Sequence, residues 1–494
     1  MRKGIGEIIM RKDKSLFKNS LYYILYRIIN VIYPLITATY VSRILGPEGV
    51  GQVSVAQTFV IFLTACACLG LPNYGTREVS KLNSQSATDK LFSELFIINV
   101  ISSVVFASLY YVVVALLPIQ IDKTLYYIEG LILVFNIINV DWFYQGLEEF
   151  RYITFRSFVV KFISIFLIFA FVRERQDVNA YAMIFSLAYV GNYLFNLIHL
   201  RKFITFKRRG LSISTHIKPV LILAITYISN EVYVTSDTVM LGIMTGDAEA
   251  GYYSNAMKLV KILTNVCAAM GVALLPRLSR IRSENNFSRY LNTIQKAFKL
   301  LFWFTIACVA GISCVSDDLM EVLFGAEFLP SAPILRILCF LVLFRSFSSL
   351  FLQIGLSENE DSGTSKIYFS GMVLNILINV LLIPRFGGSG AAFASALCEL
   401  LICFGLYRTM VKGHFKLEIP FAFWIKTIAS LGIMIVCVLT VQNLCDDGAF
   451  LRLTVSILVG VISFGLSSLI LKNDAVYFLL NKGKEFLRLK GHNR

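Results

Sequence analysis

Apolar stretches alternate with short polar turns along most of this chain. Two of them, residues 49–76 and 95–121, contain no charged residue. Each exceeds the roughly 20 residues that a membrane helix needs. Apolar runs bounded by polar turns predict fourteen spans: 18–42, 50–71, 92–117, 124–145, 153–172, 178–200, 217–244, 251–275, 296–315, 331–355, 366–384, 388–411, 420–441 and 451–471. The longest outer connection, 315–332, is too short for a domain. The longest connections on the opposite side, "HLRKFITFKRRGLSISTHIKP" and "PRLSRIRSENNFSRYLNT", are basic and partly amphipathic, which predicts segments lying along the membrane surface. The pattern describes an all-α polytopic membrane protein with about 14 transmembrane helices.

A weak internal repeat organises the spans. Shifted by 200 residues, "GQVSVAQ" from Gly51 falls on "GYYSNAM" from Gly251, Gly46 on Gly246, Ser54 on Ser254 and Asn30 on Asn230. Pro72 and Pro276 close the two second helices at nearly the same offset. The expected division is an N-terminal six-helix lobe (1–205), a cytoplasmic linker (206–216), a C-terminal six-helix lobe (217–411), and two extra transmembrane helices with a basic cytoplasmic tail (412–494). Parallel repeats facing each other form transporters with the path at their interface.

Composition agrees with this class. Charged residues make up 16% of the 494, and the mean hydropathy is +0.70, against about 25% charged residues in soluble domains. The basic N-terminus lacks an apolar core with a small-residue cleavage site, so no leader is expected to be removed. Most of the ten cysteines sit in apolar runs, where they act as small packing residues. The four histidines match no ligand spacing. A net charge of +15 in a soluble chain would point to nucleic acid; here its distribution says otherwise. Of 46 Lys and Arg, 33 lie on the side of both termini and the 6/7 loop, six on the other, and seven inside spans. The positive-inside rule therefore predicts cytoplasmic termini.

The seven intramembrane cations are Arg27, Lys161, Lys258, Lys261, Arg336, Arg345 and Lys426. An arginine at mid-bilayer costs about 3 kcal/mol even on the insertion scale. Arg336 and Lys426 lie near helix ends and can snorkel; the other five approach the middle third. Arg27 shares a helix face with Asn30, Pro34 and Thr37; Lys258 with Lys261 and Asn265; Asp237 with Asn230 and Tyr233. Pro34 is expected to kink its helix. The deep acids are Glu231, Asp237 and Glu399, with Glu129 and Asp141 nearer the ends of span 4. Three deep acids cannot neutralise five cations, so a positive cavity and an anionic substrate are expected. The rival account pairs each cation with an acid on a neighbouring helix, Arg27 with Glu231 for example. "GGSGAAFAS" follows a membrane span rather than a strand, and reads as small residues opening a tightly packed helix. "ENED" reads as a solvated turn.

Three segments carry a resemblance: "SRILGPEGVGQVSVAQ", "FGAEFLPSAPILRIL" and "LIPRFGGSGAAFASALCELL". The chain resembles the polysaccharide repeat-unit flippases, of O-antigen or capsule type, in the multidrug/oligosaccharidyl-lipid/polysaccharide (MOP) exporter superfamily, over essentially its whole length. The resemblance implies two six-helix lobes forming a V, alternating access, and no enzymatic activity. The implied cargo is an undecaprenyl-diphosphate-linked oligosaccharide moved from the inner to the outer leaflet of the cytoplasmic membrane. The family's cationic lumen maps onto Arg27, Lys258, Lys261 and Arg345, with Lys161 and Asn30 added by position. Arg27 is the expected diphosphate ligand, a guanidinium matching phosphate oxygens with two parallel hydrogen bonds.

Other classes fit less well. A drug or small-cation exporter of the superfamily calls for an acid-rich cavity. A lipid-linked polymerase or glycosyltransferase calls for a large outer domain and often a metal-binding Asp-x-Asp. Peptidoglycan-precursor flippases carry more arginines near the start of helix 1. No cofactor or metal is expected. A coupling cation, H+ or Na+, or a membrane-potential bias is, with Glu231 and Asp237 as candidate ion sites or else as neutralisers of Arg27 or Lys258. Membrane lipids, and polymerase and glycosyltransferases of the same pathway, are the expected partners; nucleic acid is not.

Overall fold

The computed structural model describes residues 16–118, 122–272, 274–284, 286–358, 363–412, 417–445 and 448–480. These residues are helical with no strand among them. The helices are α1 (Leu16–Cys68), α2 (Leu71–Ser80), α3 (Gln85–Leu116), α4 (Lys123–Phe135), α5 (Asp141–Gly146), α6 (Phe150–Phe171), α7 (Val178–Leu200), α8 (Ser214–Met244), α9 (Asp247–Val272), α10 (Leu275–Ser283), α11 (Phe287–Phe324), α12 (Ser331–Leu338), α13 (Phe340–Ser357), α14 (Thr364–Leu406), α15 (Phe421–Leu444) and α16 (Ala449–Ile470). Among the described residues nine helices are long and apolar enough to cross a membrane, and two of these hold two spans each. α1 breaks at Gly46 (φ 69°) and α14 at Gly387 (φ 53°), left-handed conformations that suit a residue without Cβ. At the first break Gly46 ends one helix and Pro47 opens the next. Each of the fourteen expected spans falls mainly on described helix, and the protein is a multi-pass membrane protein.

The chain divides into two compact units, residues 1–251 and 252–494, one helix later than the 206–216 linker expected from the repeat. α8 packs along α1 and stays with the first unit. Two expectations about elements change. Span 4 is not one helix: α4 ends in a 3-10 turn (Asn136–Ile138) before α5. The outer connection after span 9 is mostly helix, because α11 runs on to Phe324. Pro34 lies inside α1, which leaves helical dihedrals at Gly46.

The first unit has one core where Leu71, Phe92, Trp142, Phe143 and Tyr144 cluster, and a second of Val60, Tyr110, Val114, Ile132 and Leu133. In the second unit α15 and α16 pack on α11 through Val315, Met434, Val438, Leu453 and Phe464. The outside is apolar: on α6, Phe155, Phe158, Phe162 and Phe166 are exposed at helical spacing, a lipid-facing stripe. The ten cysteines are free thiols.

The repeat-related turns meet inside the first unit. Gly46 and Gly246 both take positive φ (69° and 103°). A Cβ on Gly51 would lie 1.7 Å from the Asp247 carbonyl oxygen, and one on Gly251 would lie 2.1 Å from that of Pro47. Backbone crosses backbone there, and no side chain fits.

The linker is strapped to the start of α3. Glu94, 3% exposed, accepts from Ser212 N (2.6 Å) and faces His216 Nε2 (3.0 Å), whose Nδ1 meets the Tyr74 hydroxyl (2.8 Å). Asp89 accepts from Thr205 N (3.1 Å), and Ser93 Oγ accepts from Lys207 N (2.9 Å). Two buried carboxylates thus hold linker amides that would otherwise lack partners.

Candidate substrate site

The polar face of α1 meets α6 in the first unit. Asn30 Nδ2 donates to the Tyr26 carbonyl (2.8 Å), which turns its oxygen to accept from Lys161 Nζ. Lys161, half-buried, also sits 5.2 Å from the Tyr33 ring centroid. Ser164 Oγ donates to the Tyr33 hydroxyl (3.2 Å). Thr154 Oγ1 to Tyr22 O (2.9 Å) and Tyr40 Oη to Val172 O (2.9 Å) close the same helix pair at its two ends. Among the described residues Lys161 has no carboxylate partner. An amide oxygen and an aromatic face hold the ammonium, and an amide takes only one of its three donors.

The second unit repeats the arrangement on α9. Lys258 Nζ donates to Asn255 Oδ1 (3.0 Å), and Asn255 is fully buried. Lys261 stands one turn on, half-buried like Lys258. Among the described residues Lys258 too meets no carboxylate. Arg345 differs. Its Nε lies 3.2 Å from Glu399 Oε2, and Glu399, 2% exposed, takes Ser348 Oγ (3.1 Å) on its other oxygen. The rival pairing account therefore describes Arg345. Arg336 pairs with Asp317 and Lys426 reaches the Lys472 carbonyl (3.0 Å), as snorkelling residues do.

On α8, Glu231 is half-buried and Asp237 is 1% exposed. The Arg27 and Asn230 side chains lie outside the described residues, although both residues are on helices, α1 and α8. Thr37 is turned onto its own helix, donating to Tyr33 O (3.0 Å).

Sequence reasoning missed two cations paired with acids, one buried and one half-buried. Arg156, 4% exposed, binds Asp141 (2.8 Å) and Asn196. Arg452 grips Asp318, itself 2% exposed and also held by Gln442 (2.8 Å). Both arginines lie within three residues of a predicted span end and so count with the loops. α6 starts at Phe150, before the predicted span, and carries Arg156 inward.

A family model described as "Polysaccharide biosynthesis protein" matches residues 16–282. The chain belongs to this polysaccharide biosynthesis family. Two relatives of this family member are named O-antigen transporters. One, from Shigella dysenteriae, is 22% identical over 394 residues, covering 78% of this chain and 97% of the relative. The other, from Escherichia coli (strain K12), is 24% identical over 413 residues, covering 78% and 95%. Among solved structures, the lipid II flippase MurJ in an inward closed conformation superposes with a TM-score of 0.73 at 16% identity, over 92% of this chain and 99% of that one. An inward-facing multidrug resistance MATE family transporter of the MOP superfamily gives 0.59 at 12% identity, over 79% and 96%. The polysaccharide biosynthesis family member shares their fold.

Proposed function

We propose that the protein is a transporter rather than an enzyme, a flippase for lipid-linked oligosaccharide repeat units. The observation that carries this reading is the pair of intramembrane lysines, Lys161 and Lys258, each held by a neutral asparagine amide. A cation buried in lipid without an acid awaits an anion, and a polyprenyl diphosphate supplies one. The relatives named O-antigen transporters support the sugar-carrying class. The finer reading is an undecaprenyl-diphosphate carrier, moved from the inner to the outer leaflet of the cytoplasmic membrane by alternating access, with both termini cytoplasmic. The six-helix lobe division at 206–216 and partnership with polymerase and glycosyltransferases belong to the same reading.

Arg27, Asn30, Lys161, Lys258 and Lys261 handle the diphosphate; Arg345, tied to Glu399, contributes a weaker field. Several moderate cations suit a cargo that must leave as well as bind. A proton, Na+ or the membrane potential drives the cycle, with Glu231 and Asp237 as candidate ion groups. The test is reconstitution with a polyprenyl-diphosphate-linked oligosaccharide, following its appearance on the far leaflet. Arg27→Ala is expected to cripple flipping at near-normal membrane level, and Arg27→Lys to retain part of it. Rescue of level and transport by Arg27→Ala with Glu231→Ala would make Arg27 a structural partner instead. Equal transport with and without ion gradients or potential would remove the coupling.

A further inference from the structure

The connection from α7 to α8 carries Arg201, Lys202, Lys207, Arg208, Arg209 and Lys218, with no Asp or Glu between 201 and 218. Topology asks only that such charges lie on one side. The structure also sorts them. Lys207 is turned onto α3, where its Nζ donates to Ser86 O (3.0 Å) and Ser86 Oγ (2.6 Å). The other five are exposed, and among the described residues none of them is paired with a carboxylate. The two acids that meet the connection are already occupied. Asp89 accepts from Thr205 N and Gln85 Nε2, and Glu94 from Ser212 N, with His216 on its other oxygen.

A basic segment on a membrane surface usually satisfies its own amides by coiling into an amphipathic helix. This one has no helix from Arg201 to Ser212. Side chains of α3 hold its backbone instead: Asp89, Ser93 and Glu94 accept from Thr205, Lys207 and Ser212, and Gln85 Nε2 donates to Phe203 O (2.6 Å). Neighbours on an extended chain face opposite ways. With Lys207 against α3, Phe206 and Arg208 are left exposed. Phe206 is 45% exposed and meets Phe96 edge-on at 5.9 Å; Ile217, at the start of α8, is 46% exposed.

We propose that this strapped connection is a docking surface for the headgroups of anionic phospholipids. Arg208 and Arg209 take the phosphates, since a guanidinium matches phosphate oxygens with paired hydrogen bonds. Phe206 enters the interfacial layer beside them, where aromatic side chains settle. The place fits, because two membrane helices, α7 and α8, end on either side of the segment. An acidic protein would match the charge but would leave the exposed Phe206 and Ile217 without a role. The inference depends on the membrane class alone and not on the cargo.

Photocrosslinking of the full chain in phosphatidylcholine liposomes tests it. A trace of phosphatidylglycerol, or of phosphatidylcholine, carries a photoreactive group near its glycerol, and labelled residues are read by mass spectrometry. The phosphatidylglycerol probe is expected to label 201–218 roughly tenfold more than the phosphatidylcholine probe, while the phenylalanine stripe on α6 takes both alike. Arg208→Gln with Arg209→Gln is expected to bring that ratio below about threefold. Arg208→Lys with Arg209→Lys, which keeps both charges, is expected to hold most of it. Equal labelling by the two probes, or a ratio unchanged in the glutamine pair, overturns the proposal and leaves the charges to topology or to an acidic protein. Loss of the preference on adding millimolar glycerol phosphate also overturns it, since a free anion would then fill the site without a membrane. Should the glutamine pair not accumulate, wild type in about 0.5 M salt decides, because exposed charges are then largely screened: the ratio must fall towards unity, and a ratio that holds overturns the docking surface.

Discussion

At the scale of single residues, the same side-chain type does different work according to what stands opposite. Arg156 and Arg452 are locked to acids, and Lys161 and Lys258 to amides. The first kind is structural. Arg156→Ala leaves Asp141 without its cation, and a broken buried pair costs about 3–5 kcal/mol. Asp141 keeps some access to water, so the low end applies, read as a fall in melting temperature in detergent. Under the proposed function, the second kind serves the substrate. Lys161→Ala and Lys258→Ala are expected to leave melting almost unchanged while lowering flipping roughly tenfold to a hundredfold, the loss of one hydrogen bond to a charged group. Measuring both quantities on both sets of variants separates the roles. The lysines were legible in the sequence because a charge inside an apolar run stands out whatever its partner. The arginine pairs were not, since Asp141 and Asn196 reach Arg156 from two other helices, 15 and 40 residues away.

At the scale of helices, two glycine types carry opposite costs. Gly246 has open space around its missing Cβ but a φ of 103°, so Gly246→Ala pays only for conformation, about 1–2 kcal/mol. Gly51 has ordinary helical dihedrals, yet a Cβ would overlap the Asp247 carbonyl. Gly51→Ala therefore forces backbone apart and is expected to cost about 3 kcal/mol, the upper end for an overpacked site. Thermal melts that rank Gly246→Ala as the worse variant would contradict the crossing. The 200-residue offset makes these turns visible in the sequence, because a glycine turn is a local signal. The break in span 4 is invisible there for the opposite reason. Asn99, from α3, donates to the carbonyls of Asn136 (2.8 Å) and Ile137 (3.1 Å), taking over bonds that a straight helix would have made for itself.

At the scale of the whole molecule, the apolar helical spans were the most legible feature; orientation and energy source stand as expectations. Cation counts need no three-dimensional contact, so tags at the N-terminus, the 6/7 loop and the C-terminus are all expected to report cytoplasm; an outer signal from the 6/7 loop would break the two-lobe division. The proposed coupling depends on which acids lack a cation, and that is decided by folding. The linker strap is likewise a product of the finished chain. Glu94→Ala is expected to raise cleavage within 205–216 by added protease roughly tenfold or more, from the loss of hydrogen bonds to a charged acceptor. The strap also has a history in time. Glu94 leaves the ribosome 118 residues before Ser212 and 122 before His216. At ribosomal speeds of 5–20 residues per second that is a wait of about 6–24 s. For that interval Asp89 and Glu94 stay hydrated at the membrane surface, and α3 cannot settle to its final depth. Nascent chains stalled before Ser212 should leave an engineered cysteine at position 89 or 94 open to a water-soluble reagent, and chains released after His216 should not.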